Sequence, residues 1–232
     1  MTTPTSNSVS KVEFFYDPMC PFAFETSLWI KEARDHFGFE VDFRFFSLEE
    51  INLEEGKKHP YERDWSYGFS LLKCAALLKE SDVKAAEDFY GYVGERIHHR
   101  GQKIHTIEDA REALSFIGKD PSIADETVGN DRAAKLVMAD HNFVVERFGG
   151  FGVPTIVFDG TRAIFGPVVM PAPSGSEALA LFELALSMSY FDTLLEIKRP
   201  QNLDQRRRTA ELLDPYLKGR VWRSVQNAPY SK

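Results

Sequence analysis

The fold is decided by a short segment near the N-terminus, KVEFFYDPMCPFAF, which spans Lys11 to Phe24. Its first half is apolar and aromatic, which predicts a buried strand over Lys11–Tyr16 that ends at Asp17-Pro18. Pro21 suits the first turn of a helix, because the N–H that proline lacks would have no partner there anyway. Cys20 is therefore predicted to lie between a strand and the amino end of a helix.

A second strand and a long helical region follow this segment. The first helix is predicted to end near Gly38, and alternating apolar residues then predict a strand over Glu40 to Leu48. Two strands joined by a helix in this way pair in parallel through a right-handed crossover. From Asn52 to about Asp140 the apolar residues recur at helical spacing, which predicts a block of helices.

Strand signals return near the C-terminal third of the chain. The segment TIVFDGTRAIFG, Thr155 to Gly166, contains Asp159-Gly160 and predicts a β-hairpin. A last helix is predicted at about Ser176 to Ser189. The element order predicts an α/β fold with a mixed four-stranded sheet and an inserted helical domain. The tail from Phe191 has helical pieces, and we expect it to wrap the body or contact a partner.

Composition narrows the class of protein. Hydrophobic residues make up 43% of the 232 residues, which is enough for a packed core, and the net charge of −7 disfavours a nucleic-acid partner. The basic cluster Arg206–Arg208 is interpreted as a solvated helix face. The polar opening MTTPTSNSVS resembles no secretory signal, no apolar run is long enough to cross a membrane, and only two cysteines are present. We expect a cytoplasmic protein without disulfide bonds.

The two cysteines are predicted to differ in reactivity. At the amino end of a helix, Cys20 meets free N–H groups and the positive end of the helix dipole, which lower a thiol pKa and favour the nucleophilic thiolate. A small buried side chain at a strand end is the alternative. Cys74 lies in the apolar helical run LLKCAALL and is interpreted as an inert core thiol.

A second candidate feature is Val153-Pro154, in GGFGVPTIVFDG. A proline directly before a core strand cannot donate a ladder hydrogen bond. A cis peptide bond would accommodate it, and would leave the Val153 backbone available to an extended substrate or a thiol ligand. A trans proline that opens an edge strand is the alternative.

Taken together, these motifs resemble the DsbA-like oxidoreductases of the thioredoxin fold. The segments FYDPMCPFAF, SLEEIN (Ser47–Asn52), ERIHHRGQ (Glu95–Gln102), GVPTIVFDG and FGPVV (Phe165–Val169) are similar to the actinobacterial mycothiol-dependent nitroreductase branch. The resemblance runs from about Lys11 to Arg199. It implies a thioredoxin-like domain of residues 11–51 and 141–190, a helical insertion of residues 52–140 and a C-terminal extension of residues 191–232. Residues 1–10 are expected to be disordered.

The resemblance also implies the site residues. Cys20 matches the attacking cysteine, and Pro154 matches the cis-proline that faces it. The implied substrate- or thiol-binding residues are Pro21, Phe22, Ala23, Asn52, Tyr61, His98, His99, Val153 and Thr155. For His98 and His99 the alternative is a solvent-exposed helix end, where a cationic histidine is favoured. The other histidines show no ligand spacing with the cysteines, so no metal is expected.

Ala23 departs from the family pattern, because it stands where the resolving cysteine of a dithiol enzyme would be. Without that sulfur, Cys20 could still attack a disulfide, but an outside thiol would have to release the product. Cys74 could take the place of the resolving cysteine only if it lay close to Cys20. The sequence leaves open whether Ala23 is natural or an engineered replacement of cysteine.

Three functions are compatible with these features. The resemblance favours a cytoplasmic thiol-disulfide oxidoreductase or reductase that uses mycothiol, or another small thiol, and acts on a small-molecule disulfide or an aromatic electrophile. An isomerase or transferase of the kappa glutathione transferase or hydroxychromene carboxylate isomerase type is the alternative, since those proteins need no resolving cysteine. A non-catalytic binding module is the third. No nucleic acid and no membrane is expected as a partner, and an oligomer is compatible with the sequence.

Overall fold

The structure is a computed structural model and describes residues 9–219 of the chain. Within them the strands are β1 (Lys11–Tyr16), β2 (Glu40–Phe45), β3 (Thr155–Phe158) and β4 (Arg162–Phe165). The helices are α1 (Pro21–Phe37), α2 (Leu48–Ile51), α3 (Phe69–Ser81), α4 (Val83–Gly94), α5 (Ile107–Phe116), α6 (Ile123–Glu126), α7 (Asp131–Phe148), α8 (Ser176–Met188) and α9 (Leu203–Gly219). A 3₁₀ turn covers Pro60–Glu62 and a π-helical turn covers Glu95–His99.

The chain divides into two compact units. The first contains the residues up to Tyr16, then Phe22–Arg44 and Gly152–Leu213. The second contains Asp17–Pro21, Phe45–Phe151 and the chain from Asp214. The five residues that end in Cys20-Pro21 therefore belong to the helical unit, although the strand before them and almost all of α1 belong to the other.

The first unit is built on a four-stranded sheet of order β2-β1-β3-β4. β1 pairs with β3, and β3 with β4, in antiparallel register, with Phe14 opposite Ile156. The starts of β1 and β2 lie side by side, because the Glu40 N–H donates to the Ser10 carbonyl at 3.0 Å. This pair runs parallel, as a strand–helix–strand order requires. The predicted mixed four-stranded sheet is confirmed.

The hairpin between β3 and β4 has a three-residue loop. Asp159 and Gly160 both adopt left-handed backbone angles, with φ of 48° and 66°. The Asp159 carboxylate accepts hydrogen bonds from the Ser10 and Lys11 N–H groups, each at 3.1 Å, and these bonds hold its pKa below the usual range despite partial burial. The loop is thereby tied to the start of β1.

The core of the first unit is largely aromatic. α1 buries Trp29 and Ile30 completely, and α8 contributes Phe182. The Phe182 ring stacks on Phe39 with centroids 4.5 Å apart and meets Phe158 of the central strand edge-on at 5.9 Å. These contacts hold α8 against β3 and against Phe39, the residue that precedes β2.

The predicted second strand was too long. β2 stops at Phe45 instead of Leu48, because Ser47 begins a new helix. The Ser47 hydroxyl accepts the Glu50 N–H at 3.1 Å, which is the geometry of an N-terminal cap.

The second unit is a helical cluster in which α3 packs on α4 and α7. Its long helices begin at Phe69, not at Asn52, and residues 52–68 contain only the short 3₁₀ turn. α7 runs without a break across the predicted domain boundary between residues 140 and 141. Its ends are set by Asn130, whose side chain caps the Ala133 N–H, and by Gly149 with φ of 68°.

The tail is partly described. α9 forms most of its described part, residues 191–219, and Arg206–Arg208 are exposed on that helix, as predicted. Residues 1–8, on which the expected N-terminal disorder falls, and residues 220–232 of the predicted C-terminal extension lie outside the described residues. No helix in residues 9–219 is long and apolar enough to cross a membrane.

Candidate active site

Cys20 ends the tight loop Asp17–Cys20, here called the cysteine loop, whose backbone is held by Asp17. The Asp17 carbonyl accepts the Cys20 N–H at 3.0 Å, and its carboxylate accepts the Met19 N–H at 2.7 Å. The second carboxylate oxygen accepts the Leu48 N–H, also at 2.7 Å. Asp17 is fully buried, and a buried carboxylate with this many donors is a rigid anchor. Asp17 therefore fixes the loop from inside.

Cys20 itself is 7% exposed and directly precedes Pro21, the first residue of α1. Both cysteines are free thiols. The amino end of a 17-residue helix is the positive end of its dipole, which favours the thiolate over the thiol. This local arrangement is the one that the sequence predicted. Phe22 is half-buried and Ala23 is fully buried in the first turn of α1.

His98 binds the loop from the π-helical turn. Its Nε2 lies 2.9 Å from the Pro18 carbonyl oxygen, and since a carbonyl can only accept, Nε2 carries the proton. The side chain is 2% exposed, and burial lowers the pKa of His98 to about 3. His98 is therefore a neutral hydrogen-bond donor at neutral pH. The alternative of an exposed cationic histidine does not apply to it.

His99 has that exposed environment instead. Its Nδ1 lies 2.7 Å from the Glu95 carboxylate one helical turn earlier, and both side chains are about 40% exposed. The two adjacent histidines of the motif thus point into different surroundings. Of their hydrogen bonds described here, that of His98 goes to the cysteine loop and that of His99 to Glu95.

The sequence did not predict a buried carboxylate, that of Glu49, near the cysteine loop. Glu49 accepts hydrogen bonds from the Ser66 hydroxyl at 2.6 Å, from the N–H groups of Gly68 and Phe69 at 3.0 and 2.8 Å, and from Arg63 at 3.0 Å. It therefore caps the start of α3. Burial raises the pKa of Glu49, while the Ser66 hydrogen bond and the positive charge of Arg63 act in the opposite direction.

Gly68 brings this carboxylate close to the cysteine loop. A Cβ at this position would lie 3.0 Å from Met19 Cγ, 3.2 Å from Asp17 Oδ1 and 3.5 Å from Glu49 Oε2. A larger residue would push directly on the loop. Glu49 lies in the SLEEIN segment, but nothing in the sequence indicates that its side chain is buried.

The Val153–Pro154 peptide bond is cis in the structure. Both residues are buried, and the Pro154 carbonyl accepts the Gly166 N–H at 2.8 Å. Thr155 begins β3 opposite Phe15, and its hydroxyl donates to the Gly152 carbonyl at 2.7 Å. These bonds keep the segment within the first unit.

Asn52 and Tyr61 belong to the second unit, and each contacts residues close to it in the sequence. Asn52 is exposed, and its side-chain amide donates to the Leu48 carbonyl at 2.8 Å, at the end of α2. Tyr61 is 40% exposed and stacks on His59 with ring centroids 4.7 Å apart. His59 in turn contacts the Glu50 carboxylate at 2.9 Å.

Cys74 is the inert thiol that the sequence predicted. It is fully buried within α3, and burial raises its pKa to about 12. At neutral pH Cys74 is therefore a protonated core residue. Among residues 9–219 there is no group of three or more histidine, cysteine, aspartate or glutamate side chains that could hold a metal ion.

Comparison with known proteins identifies the family of this chain. A model of the Rv2466c-like family, described as mycothiol-dependent nitroreductase Rv2466c, matches residues 19–199. The chain belongs to this family. Rv2286c, an uncharacterized protein of Mycobacterium tuberculosis, is 41% identical to it over 217 residues, which cover 94% of each chain. The Rv2466c-like family match begins immediately before Cys20 and ends before α9.

Solved structures show the same fold at low sequence identity. A probable DsbA oxidoreductase, SCO1869 from Streptomyces coelicolor, has a TM-score of 0.58 and 19% identity, covering 82% of this chain and 93% of its own. A 2-hydroxychromene-2-carboxylate isomerase has a TM-score of 0.55 and 14% identity, with coverage of 76% and 94%. The predicted DsbA-like thioredoxin fold is confirmed, and with the family it makes the chain a DsbA-type thiol oxidoreductase.

Proposed function

We propose that this Rv2466c-like protein is a cytoplasmic, mycothiol-dependent reductase in which Cys20 is the nucleophile and no resolving cysteine takes part. The observation that carries the proposal is the position of Cys20. It stands at the amino end of α1, at the end of a loop that Asp17 holds through three hydrogen bonds. A fixed thiol at a helix terminus is the arrangement that favours nucleophilic attack.

The reaction begins when the Cys20 thiolate attacks one sulfur of a small disulfide. A bond forms between that sulfur and Cys20, the original S–S bond breaks, and the other sulfur leaves as a thiolate. Ala23 offers a buried methyl group where a second sulfur would be needed, and Cys74 is a buried thiol with a high pKa. The two cysteines of the chain therefore fit a monothiol cycle.

An outside thiol completes this cycle, and we propose mycothiol because of the family. It would supply the reducing electrons by forming a disulfide with the group held on Cys20, so that Cys20 leaves as a thiolate. Cys20 is then ready for another round. A cytoplasmic setting is consistent with this, since the thiol must stay reduced.

Further residues are proposed to hold the bound groups. The cis Val153–Pro154 segment and Thr155 would pair with an extended thiol, and Pro21 and Phe22 would border the reacting sulfur. Asn52 and the exposed Tyr61 would contact a small disulfide or an aromatic electrophile. Removing the Tyr61 ring is expected to raise KM more than it lowers kcat, because Tyr61 forms no hydrogen bond with the cysteine loop in the structure.

Intact mass spectrometry tests the proposal. Wild-type protein incubated with mycothiol disulfide should gain the mass of one mycothiol, on Cys20, and the adduct should persist until free thiol is added. Cys20→Ser should gain nothing, and Cys74→Ser, the matched control, should behave as wild type. Ala23→Cys should release the adduct without added thiol. A folded wild-type protein that forms no adduct would refute the proposed cycle.

The missing sulfur at Ala23 favours one alternative, a thiol-dependent isomerase or transferase. In that case the protein would activate the sulfur of a bound small thiol instead of its own. Activity of the Cys20→Ser variant on a test electrophile with added thiol would support this alternative over the monothiol cycle. A Cys20 thiol pKa at or above about 8.5, measured by ultraviolet absorbance, would also count against Cys20 as the activated nucleophile.

A further inference from the structure

The end of α9 lies against the π-helical turn that carries His98. The Tyr216 ring is 5.4 Å from the His98 ring between centroids, tilted by 42°, and Tyr216 is only 7% exposed. Nearby, a Cβ on Gly101 would lie 2.9 Å from the Pro215 carbonyl oxygen. All these residues belong to the second unit, and α9 lies beyond residue 199, where the family match ends.

Gly101 is shaped for this contact. Its φ of +63° is a left-handed angle that side-chain-bearing residues rarely adopt, and the missing Cβ leaves room for the Pro215 backbone. The turn before it is closed by bonds from the Arg100 N–H to the Glu95 carbonyl at 3.2 Å and from the Gln102 N–H to the Arg96 carbonyl at 2.9 Å. π-helical turns of this kind often occur at functional sites.

The hydrogen bond from His98 acts on one peptide plane of the cysteine loop. The Pro18 carbonyl of that plane accepts from His98, and the Met19 N–H of the same plane donates to Asp17. Both polar groups of the plane are therefore hydrogen-bonded. The carbonyl is bonded to the π-helical turn and the N–H to Asp17. This plane ends at the Met19 Cα, one residue before Cys20, so its orientation sets the direction in which the chain enters Cys20.

We propose that His98 is a positioning residue for Cys20, and that Tyr216 of α9 stabilises His98 in this position because its ring covers the imidazole. His98 acts through the Pro18–Met19 peptide plane, whose carbonyl accepts its hydrogen bond. Tyr216 keeps water from competing for the Pro18 carbonyl. Through Tyr216 and His98, the C-terminal helix therefore helps to hold the cysteine loop. This inference rests on the proposed role of Cys20 as the nucleophile.

The test measures the alkylation rate of Cys20 by iodoacetamide, which requires no mycothiol. His98→Leu should slow alkylation about tenfold, and Tyr216→Ala about three- to fivefold. His98→Gln, which can still donate, and Tyr216→Phe, which keeps the ring, should restore most of the rate. Leu217→Ala is the matched control on α9, since Leu217 is half exposed, and it should alkylate as wild type. Cys20→Ser gives the background.

Each variant is measured well below its unfolding temperature, so that loss of fold is not read as loss of positioning. The pH midpoint of alkylation should rise in His98→Leu and return in His98→Gln, which a purely structural role would not produce. If Tyr216→Ala does not fold, Gly101→Ala displaces the Pro215 contact instead and should slow alkylation in the same direction.

Wild-type rates in His98→Leu would overturn the role of His98. Wild-type rates in Tyr216→Ala, or in Gly101→Ala where Tyr216→Ala does not fold, would overturn the role of α9. Failure of the proposed function is separable from either result. A wild-type protein that takes no mycothiol adduct, while Cys20 alkylation still responds to these variants, would refute the mycothiol cycle alone.

Discussion

The burial of His98 leads to a quantitative prediction for stability against pH. In the folded protein burial lowers the pKa of His98 to about 3, whereas in the unfolded chain it returns to its ordinary value of 6.5. Below pH 6.5 the unfolded chain therefore binds a proton that the folded protein does not. The free energy of unfolding should fall as the pH drops from 6.5 towards 3, and this part of the loss should level off below that.

The size of the effect follows from these two values. One unit of pKa difference corresponds to about 1.4 kcal/mol of free energy. Between pH 7 and pH 5, His98 should therefore lower the free energy of unfolding by about 2 kcal/mol, and at very low pH by about 5 kcal/mol. His98→Gln keeps a donor for the Pro18 carbonyl but cannot titrate. The difference between wild type and this variant isolates His98, because His141, whose pKa burial also lowers, is present in both.

The assay is urea unfolding at pH 7, 6 and 5, followed by far-ultraviolet circular dichroism. Wild type should lose about 2 kcal/mol more than His98→Gln between pH 7 and 5. The matched control is Leu217→Ala, which removes an exposed side chain without a titratable group and should follow the wild-type pH dependence closely. Parallel curves for wild type and His98→Gln would refute the reasoning, since they would mean that His98 titrates alike in the folded and unfolded chains.

Three shorter predictions address other parts of the chain. In the native protein Ellman's reagent should react with one thiol, Cys20, and Cys74→Ser should leave that count unchanged; two fast thiols would contradict the burial of Cys74. Glu49→Ala should lower the free energy of unfolding by roughly 3–5 kcal/mol, because Arg63 and the α3 amino end lose a buried carboxylate; a loss below about 1 kcal/mol in urea unfolding would argue against that cap. Asp159→Ala should destabilise the hairpin by about 1–3 kcal/mol, and Asp159→Asn by less, since asparagine tolerates the left-handed angle and can still accept; equal losses in thermal melts would count against this explanation.

The fold was largely predictable because its elements have local signals. The strand Lys11–Tyr16 has the predicted bounds, and the first helix ends at Phe37, just before a glycine with a left-handed angle. The bounds that differ involve competition between local signals. Residues 46–48 are apolar enough for a strand, but the serine at position 47 caps a helix, and the cap determines where β2 ends.

The site was predictable in part. Cys20 was located from its neighbours alone, because a strand before it and a proline after it are both short-range features. The burial of His98 and the exposure of His99 were not predictable, since adjacent residues of one motif differ only in what packs against them. Glu49 was missed for the same reason, because its donors come from residues that follow at a distance along the chain.

By itself the sequence determined the alternation of strands and helices, the position of Cys20 at a helix terminus, the absence of a second sulfur at position 23 and the family of the chain. These are properties of residue type and short spacing. Only the tertiary structure decided which polar groups are buried and what they bond to. In the fold His98 is a neutral donor to the Pro18 carbonyl, and the Tyr216 ring packs against its imidazole. Burial removes water, so buried polar groups must find hydrogen-bond partners that are far away in the sequence.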